Sequence, residues 1–215
     1  MNPLLYSIPT LLTGLLAIAS REFKPETYYY TKALPVLWIL ALYTAALAGA
    51  PSATSLHWLI FWGLALGIAG DVFLLFKKWF IPGFIAFASG HVLYLIAFLQ
   101  APGPLAWVAV AALCVPGLVY ALVLWRRTTA PRMLPLVWLY IVLISAMTIA
   151  AWNADLVEGR PGWFAAGATL FYFSDACWSW NRFVHPLPRA AIWILGTYYS
   201  GQALIVWGAI TSLVL

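Results

Sequence analysis

Charge is scarce in this chain. Only 8% of its 215 residues are Asp, Glu, Lys or Arg, while 65% are hydrophobic; soluble domains carry about a quarter charged residues. Most of the surface therefore cannot face water. Cysteine is rarer still. Cys114 and Cys177 both lie inside apolar runs, which excludes a disulfide framework and makes them packing residues. The three histidines, His57, His91 and His185, fall near one membrane boundary, near mid-membrane and near the other boundary. A three-His zinc site is excluded, because its ligands must lie within about 2 Å of one metal. No HExxH, GxSxG, Walker A or GxGxxG pattern is present. Neither a metal nor a cofactor is expected.

Long apolar stretches fill the space that charge vacates. Eight runs of roughly 20 residues, each long enough to span about 30 Å as a helix, cover about 3–19, 32–49, 56–76, 81–99, 104–125, 134–152, 162–180 and 190–213. The connections are short and leave no room for a soluble domain. The expected fold is all-α, a single transmembrane domain over 1–215 built as a bundle of eight helices. The first run lacks a basic segment ahead of it, Arg21 being the first basic side chain, so it reads as a retained helix rather than a signal peptide.

The formal charge of +5 raises the question of nucleic acid, and its distribution answers it. Ten of the eleven basic residues flank the first, third, fifth and seventh connections; Arg160 alone lies in an even-numbered one. This alternation is the positive-inside pattern. It assigns the odd connections to the cytoplasm and both termini to the opposite side; a bacterial inner (cytoplasmic) membrane is the expected setting. The basic balance is topology, with bilayer lipids and not nucleic acid as the partner. Nothing in the pattern sets an oligomeric state.

Six carboxylates are present, and only Asp71 in "GIAGDVFLLF" and Asp175 in "LFYFSDACWSW" lie well inside apolar runs. Asp71 precedes Lys77 by six residues and Asp175 precedes Arg182 by seven, which puts both roughly 9–10 Å inside the same boundary. A carboxylate in hydrocarbon costs several kcal/mol unless protonated, paired or hydrated, so such residues mark sites. Gly63, Gly67 and Asp71 follow one ridge at spacings of four, a small-residue face that aims Asp71 at protein rather than lipid. His91 and Tyr94 share a face of the fourth run, and Tyr198 and Gln202 one of the eighth. Shifting the chain by 104 residues superposes Gly70-Asp71 on Ser174-Asp175, Lys78 on Arg182 and Tyr94 on Tyr198, a weak internal echo between the third–fourth and seventh–eighth runs. The residues alone leave three readings open: an aspartate-catalysed hydrolase, a proton- or cation-coupled transporter, and a lipid-binding scaffold with structural aspartates.

The strings "TKALP" (31–35), "GDVFLLF", "ASGHVLYLIAF", "FSDACWSWNRF" and "GTYYSGQALIVWG", in this order and spacing, resemble the YhhN family of membrane proteins, which includes the lysoplasmalogenases. Where the family's usual form has proline directly after the lysine, this chain has Ala33 and then Pro35. The resemblance implies an eight-helix hydrolase that cleaves the vinyl-ether bond of a lysophospholipid, giving a fatty aldehyde and a glycerophospho-alcohol. That chemistry begins with protonation of carbon and needs an acid that keeps its proton near neutral pH; removal from water favours the neutral form of a carboxyl group. Asp71 and Asp175 are the expected catalytic pair. His91, Tyr94, Ser174, Tyr198 and Gln202 are expected to orient them, and Lys32, Lys78, Asn181 and Arg182 to meet the phosphate headgroup.

Overall fold

The computed structural model describes the backbone of residues 3–101 and 107–213, and the side chains of 6–101 and 110–213. The expected starts at 104 and the chain ends at 1–2 and 214–215 lie outside the described residues. Among those described there are nine α-helices, two 3-10 turns and no strand. The helices are α1 (Pro3–Phe23), α2 (Pro25–Thr31), α3 (Leu34–Ala48), α4 (Ser55–Phe73), α5 (Phe80–Phe98), α6 (Trp107–Arg127), α7 (Leu134–Val157), α8 (Trp163–Phe183) and α9 (Ala190–Ser212).

Local chemistry starts these elements. Pro25, Pro35 and Pro135 stand at the first or second positions of α2, α3 and α7, where the missing N–H costs nothing. The Thr54 N–H before α4 donates to His57 Nδ1 at 3.0 Å, closing that helix start from within. Five helical stretches among the described residues are long and apolar enough to cross a membrane: 25–48, 55–73, 77–98, 110–127 and 131–157. α8 and α9 are as long, but they carry Ser174, Asp175, Asn181 and Arg182 on one and Thr197, Tyr198, Tyr199 and Gln202 on the other. Of these, Ser174, Tyr198, Tyr199 and Gln202 are buried against protein. The protein is a polytopic, all-α integral membrane protein.

Several expected boundaries shift, and two of the shifts matter. The connection at 20–31 is itself helical over α2, so the second long helix begins at Leu34 rather than at Lys32. α4 stops at Phe73 rather than 76. There the Asp71 carbonyl, which a continuing helix would offer to Leu75, accepts instead from Lys32 Nζ at 3.0 Å, and the Leu75 N–H turns to Val72 O at 3.2 Å. A lysine on the last carbonyls is a common helix stop. α8 runs on to Phe183. Asp71 thus sits in the last turn of its helix, whereas Asp175 lies two turns before the end of its own.

The basic connections gather at one end of the bundle. Arg21, Lys32, Lys77 and Arg182 line one cavity there, and the connection after α6 joins them through the Thr129 N–H, which donates to Phe183 O at 2.7 Å. At the opposite end Ser52 Oγ donates to Leu213 O at 3.0 Å, and His57 Nε2 lies 3.1 Å from Ser212 Oγ.

The two most extensive helix pairs are α4 with α5 and α8 with α9, and each is made possible by glycine at the crossing. A Cβ on Gly63 would meet Gly90 O at 3.1 Å, and one on Gly167 would meet Gly201 O at 2.8 Å and the Ile205 backbone N at 2.9 Å. Gly63 and Gly167 are 104 residues apart, so the internal echo extends to the crossings. Gly167→Leu is therefore expected to cost about 1–3 kcal/mol by overpacking. Gly196→Ala, whose Cβ would find only Ile18 Cδ1 at 4.0 Å, serves as the neutral control. Thermal unfolding in detergent measures both; equal stability of the two variants would contradict this packing.

Candidate active site

At the basic end, the ends of α1, α2, α4, α5, α8 and α9 enclose a cavity of about 520 Å³, within the roughly 300–1,000 Å³ usual for small-molecule sites. Its inner wall carries both Asp71 and Asp175. Its outer wall carries Arg21, Glu26, Lys77, Asn181 and Arg182, and Phe80, Phe84, Phe87, Trp178 and Leu195 supply apolar surface between. Exposed Tyr29, Phe76 and Lys77 at the rim connect it with the surface.

Asp71 is 2% exposed and fully engaged. Lys32 Nζ lies 3.2 Å from its Oδ1, and Tyr198 donates to its Oδ2 at 2.8 Å. Lys32 is held in turn, because the Tyr199 hydroxyl donates to its carbonyl at 2.8 Å. The kink between α2 and α3 is what turns this lysine inward. A lysine at a membrane boundary would ordinarily extend to the headgroups; here it is 11% exposed and compensates a buried carboxylate. Lys32, expected to meet the phosphate, lines the cavity with its ammonium against Asp71.

Asp175 has different neighbours. Tyr140 of α7 donates to its Oδ2 at 2.5 Å, and His91 Nε2 of α5 lies 3.6 Å from the same oxygen. The ion pairs of lysine or arginine with a carboxylate among the described residues are Lys32–Asp71 and Arg160–Glu158; no lysine or arginine pairs with Asp175. Two carboxyl groups on one cavity thus differ in kind: one sits against an ammonium, the other against a phenol and an imidazole.

The remaining expected residues divide. Ser174 lines the cavity, but its hydroxyl donates to Ile194 O at 2.8 Å, stitching α8 to α9. Asn181 lines it and accepts the Leu187 N–H at 2.8 Å; Arg182 lines it with its guanidinium 5.5 Å from the Phe80 ring centroid. Tyr94 and Gln202 lie deeper, bonded to each other at 2.7 Å, and do not line the cavity. The Gln202 amide packs beside Gly67, as does the Tyr198 hydroxyl, so this pair supports the Asp71 side from behind. Lys78 is exposed, with its Nζ 5.6 Å from the Trp79 ring. Lys77 lines the cavity in its place, because residues 77–79 form a 3-10 turn in which neighbouring side chains diverge. Tyr140 is the residue that sequence reasoning misses; its one signal is a hydroxyl within the aliphatic run "PLVWLYIVL". Among the described residues no group of three or more His, Cys, Asp or Glu gathers as metal ligands would.

The YhhN family profile matches residues 27–209. The pig protein named lysoplasmalogenase TMEM86B (Sus scrofa) is 36% identical over 178 residues, covering 81% of this chain and 71% of its own length. Its human counterpart (Homo sapiens) is 35% identical over 194 residues, covering 84% and 74%. A Mycobacterium tuberculosis protein named lysoplasmalogenase is 30% identical over 175 residues, covering 78% and 66%. No solved structure matches the chain.

Proposed function

We propose that this chain, which belongs to the YhhN family, is a lysoplasmalogenase: a membrane hydrolase that cleaves the vinyl-ether bond of a lysophospholipid to a fatty aldehyde and a glycerophospho-alcohol. The names of its relatives support the substrate class. The observation that carries the mechanism is the asymmetry between two carboxyl groups on one cavity, Asp71 with a cation at 3.2 Å and Asp175 with none. Lys32 stabilises Asp71 as the anion. Asp175, whose partners are Tyr140 and His91, is the proton-bearing acid. This is the division of labour that acid–base chemistry at one site requires.

The steps balance. Asp175 gives its proton to the vinyl β-carbon, and the α-carbon becomes an oxocarbenium ion whose charge the Asp71 carboxylate faces. Water adds to that carbon and passes a proton to Asp71, leaving a hemiacetal. In its collapse Asp71 returns the proton to the departing glycerol oxygen, while Asp175 takes the hemiacetal hydroxyl proton. Both groups end as they began. Arg182 and Lys77, on the outer wall, suit the phosphate, Arg by its planar fork. The aromatic wall receives the first carbons of the chain. The basic end faces the cytoplasm under the positive-inside rule, and a bacterial inner membrane is the expected setting.

Protonation of carbon requires the double bond. Purified protein is expected to release aldehyde from a vinyl-ether lysophospholipid at least 100-fold faster than it cleaves the matched alkyl-ether or ester lipid. Comparable release of fatty acid from the ester would overturn this reading, as would gradient-driven ion flux without any aldehyde.

A further inference from the structure

His91 is 1% exposed and lies in mid-helix on α5. Its Nδ1 is 2.8 Å from Phe87 O; a carbonyl only accepts, so Nδ1 carries the hydrogen and Nε2 of the neutral ring is a bare lone pair. That nitrogen is buried and has no hydrogen-bond partner. A buried polar atom left unmatched is rare and costs about 1–3 kcal/mol. The ring is otherwise enclosed by carbon: Phe171 at 4.6 Å between centroids, Phe87 at 6.3 Å, and Tyr140 edge-on at 5.3 Å. Tyr140 already spends its hydroxyl on Asp175 Oδ2. The polar group that faces Nε2 is Asp175, 3.6 Å away. A turn of the Asp175 side chain that brings a carboxyl oxygen about half an ångström closer would close that gap to hydrogen-bond distance.

We propose that His91 is a positioning residue that acts through Asp175: its Nε2 accepts a hydrogen bond from the Asp175 carboxyl between turnovers, and that bond breaks when substrate fills the cavity. The inference rests on the reading of Asp175 as the acid. In the resting state the carboxyl turns so that its Oδ1–H donates to Nε2, while Tyr140 donates to Oδ2. When the vinyl ether arrives, the carboxyl swings outward. Tyr140 continues to donate to Oδ2, so Oδ1 is the oxygen that presents the proton to carbon. His91 touches no substrate, and the cavity wall does not include it.

The test compares His91→Leu, which fills the space without an acceptor, with His91→Gln, whose amide oxygen can reach the same point. His91→Leu is expected to lower kcat about 30-fold with KM unchanged, and His91→Gln to restore kcat to within about threefold of wild type. Infrared difference spectroscopy supplies a readout independent of turnover. The carboxylic C=O band lost in Asp175→Asn should shift in His91→Leu and return towards its original position in His91→Gln. A wild-type kcat and an unmoved carboxyl band in His91→Leu would overturn the proposal while leaving Asp175 as the acid. Equal losses of kcat in both variants with an unmoved band would overturn it as well, showing His91 to be a packing residue. If Asp175→Asn itself retains activity, the underlying reading fails instead.

Discussion

Asp175→Asn is expected to reduce turnover of a vinyl-ether lysophospholipid by about a thousandfold, the middle of the range for loss of a general acid, with little change in folded yield. The geometry separates the two effects. An amide oxygen can still accept the Tyr140 hydroxyl that now lies 2.5 Å from Oδ2, and no cation is left unpaired, because none pairs with Asp175. The amide has no acidic proton to give to carbon. Aldehyde release under saturating substrate, with size-exclusion profiles as the folding control, measures this. Retention of even a tenth of wild-type kcat in folded protein would remove Asp175 from the mechanism.

The second large effect is on stability, and it concerns Lys32. Lys32→Met leaves the 2%-exposed Asp71 carboxylate without its cation and the Asp71 carbonyl without the donor that ends α4. Breaking a buried pair on one side typically costs 3–5 kcal/mol, because the remaining charge is uncompensated. Lys32→Met is expected to fall in that range. The double variant Lys32→Met/Asp71→Asn removes the stranded charge and should recover most of the loss. A double-mutant cycle by detergent unfolding makes the comparison. Additive costs, or a Lys32→Met protein as stable as wild type, would show that the pair does not hold this end of the bundle. Activity should be lost in every variant of the cycle, since each changes the anion opposite Asp175 or the cation that holds it.

The sequence made the long helices legible because hydrocarbon imposes a simple length rule, and it made Asp71 and Asp175 stand out because ionisable groups are conspicuous in apolar runs. The expectation that Tyr198 and Ser174 belong to the same neighbourhood came from the family resemblance. Tyr140 could not be placed there. It reaches Asp175 from a helix 35 residues away, and a tyrosine among Leu, Ile and Val looks the same whether it faces lipid or a carboxyl group. The role of Lys32 was hidden for another reason. A boundary lysine reads as a headgroup contact until the turn from α2 into α3 is known, and that turn falls in a polar, proline-containing stretch with no hydrophobic periodicity. The choice between Lys77 and Lys78 was settled by a three-residue 3-10 turn, an element too short to leave a periodic trace. Asp71 and Asp175 occupy different turns of their helices and meet at one cavity through the helix crossings.

Catalysis depends on a proton held by the protein being delivered to carbon, and turnover in D₂O reads that step directly. Aldehyde trapped by reduction as it forms is expected to carry a single deuterium at the carbon next to the former carbonyl, in one configuration, because the buried acid approaches one face of the double bond. Product with no deuterium there, or with deuterium in both configurations equally, would contradict proton delivery from Asp175.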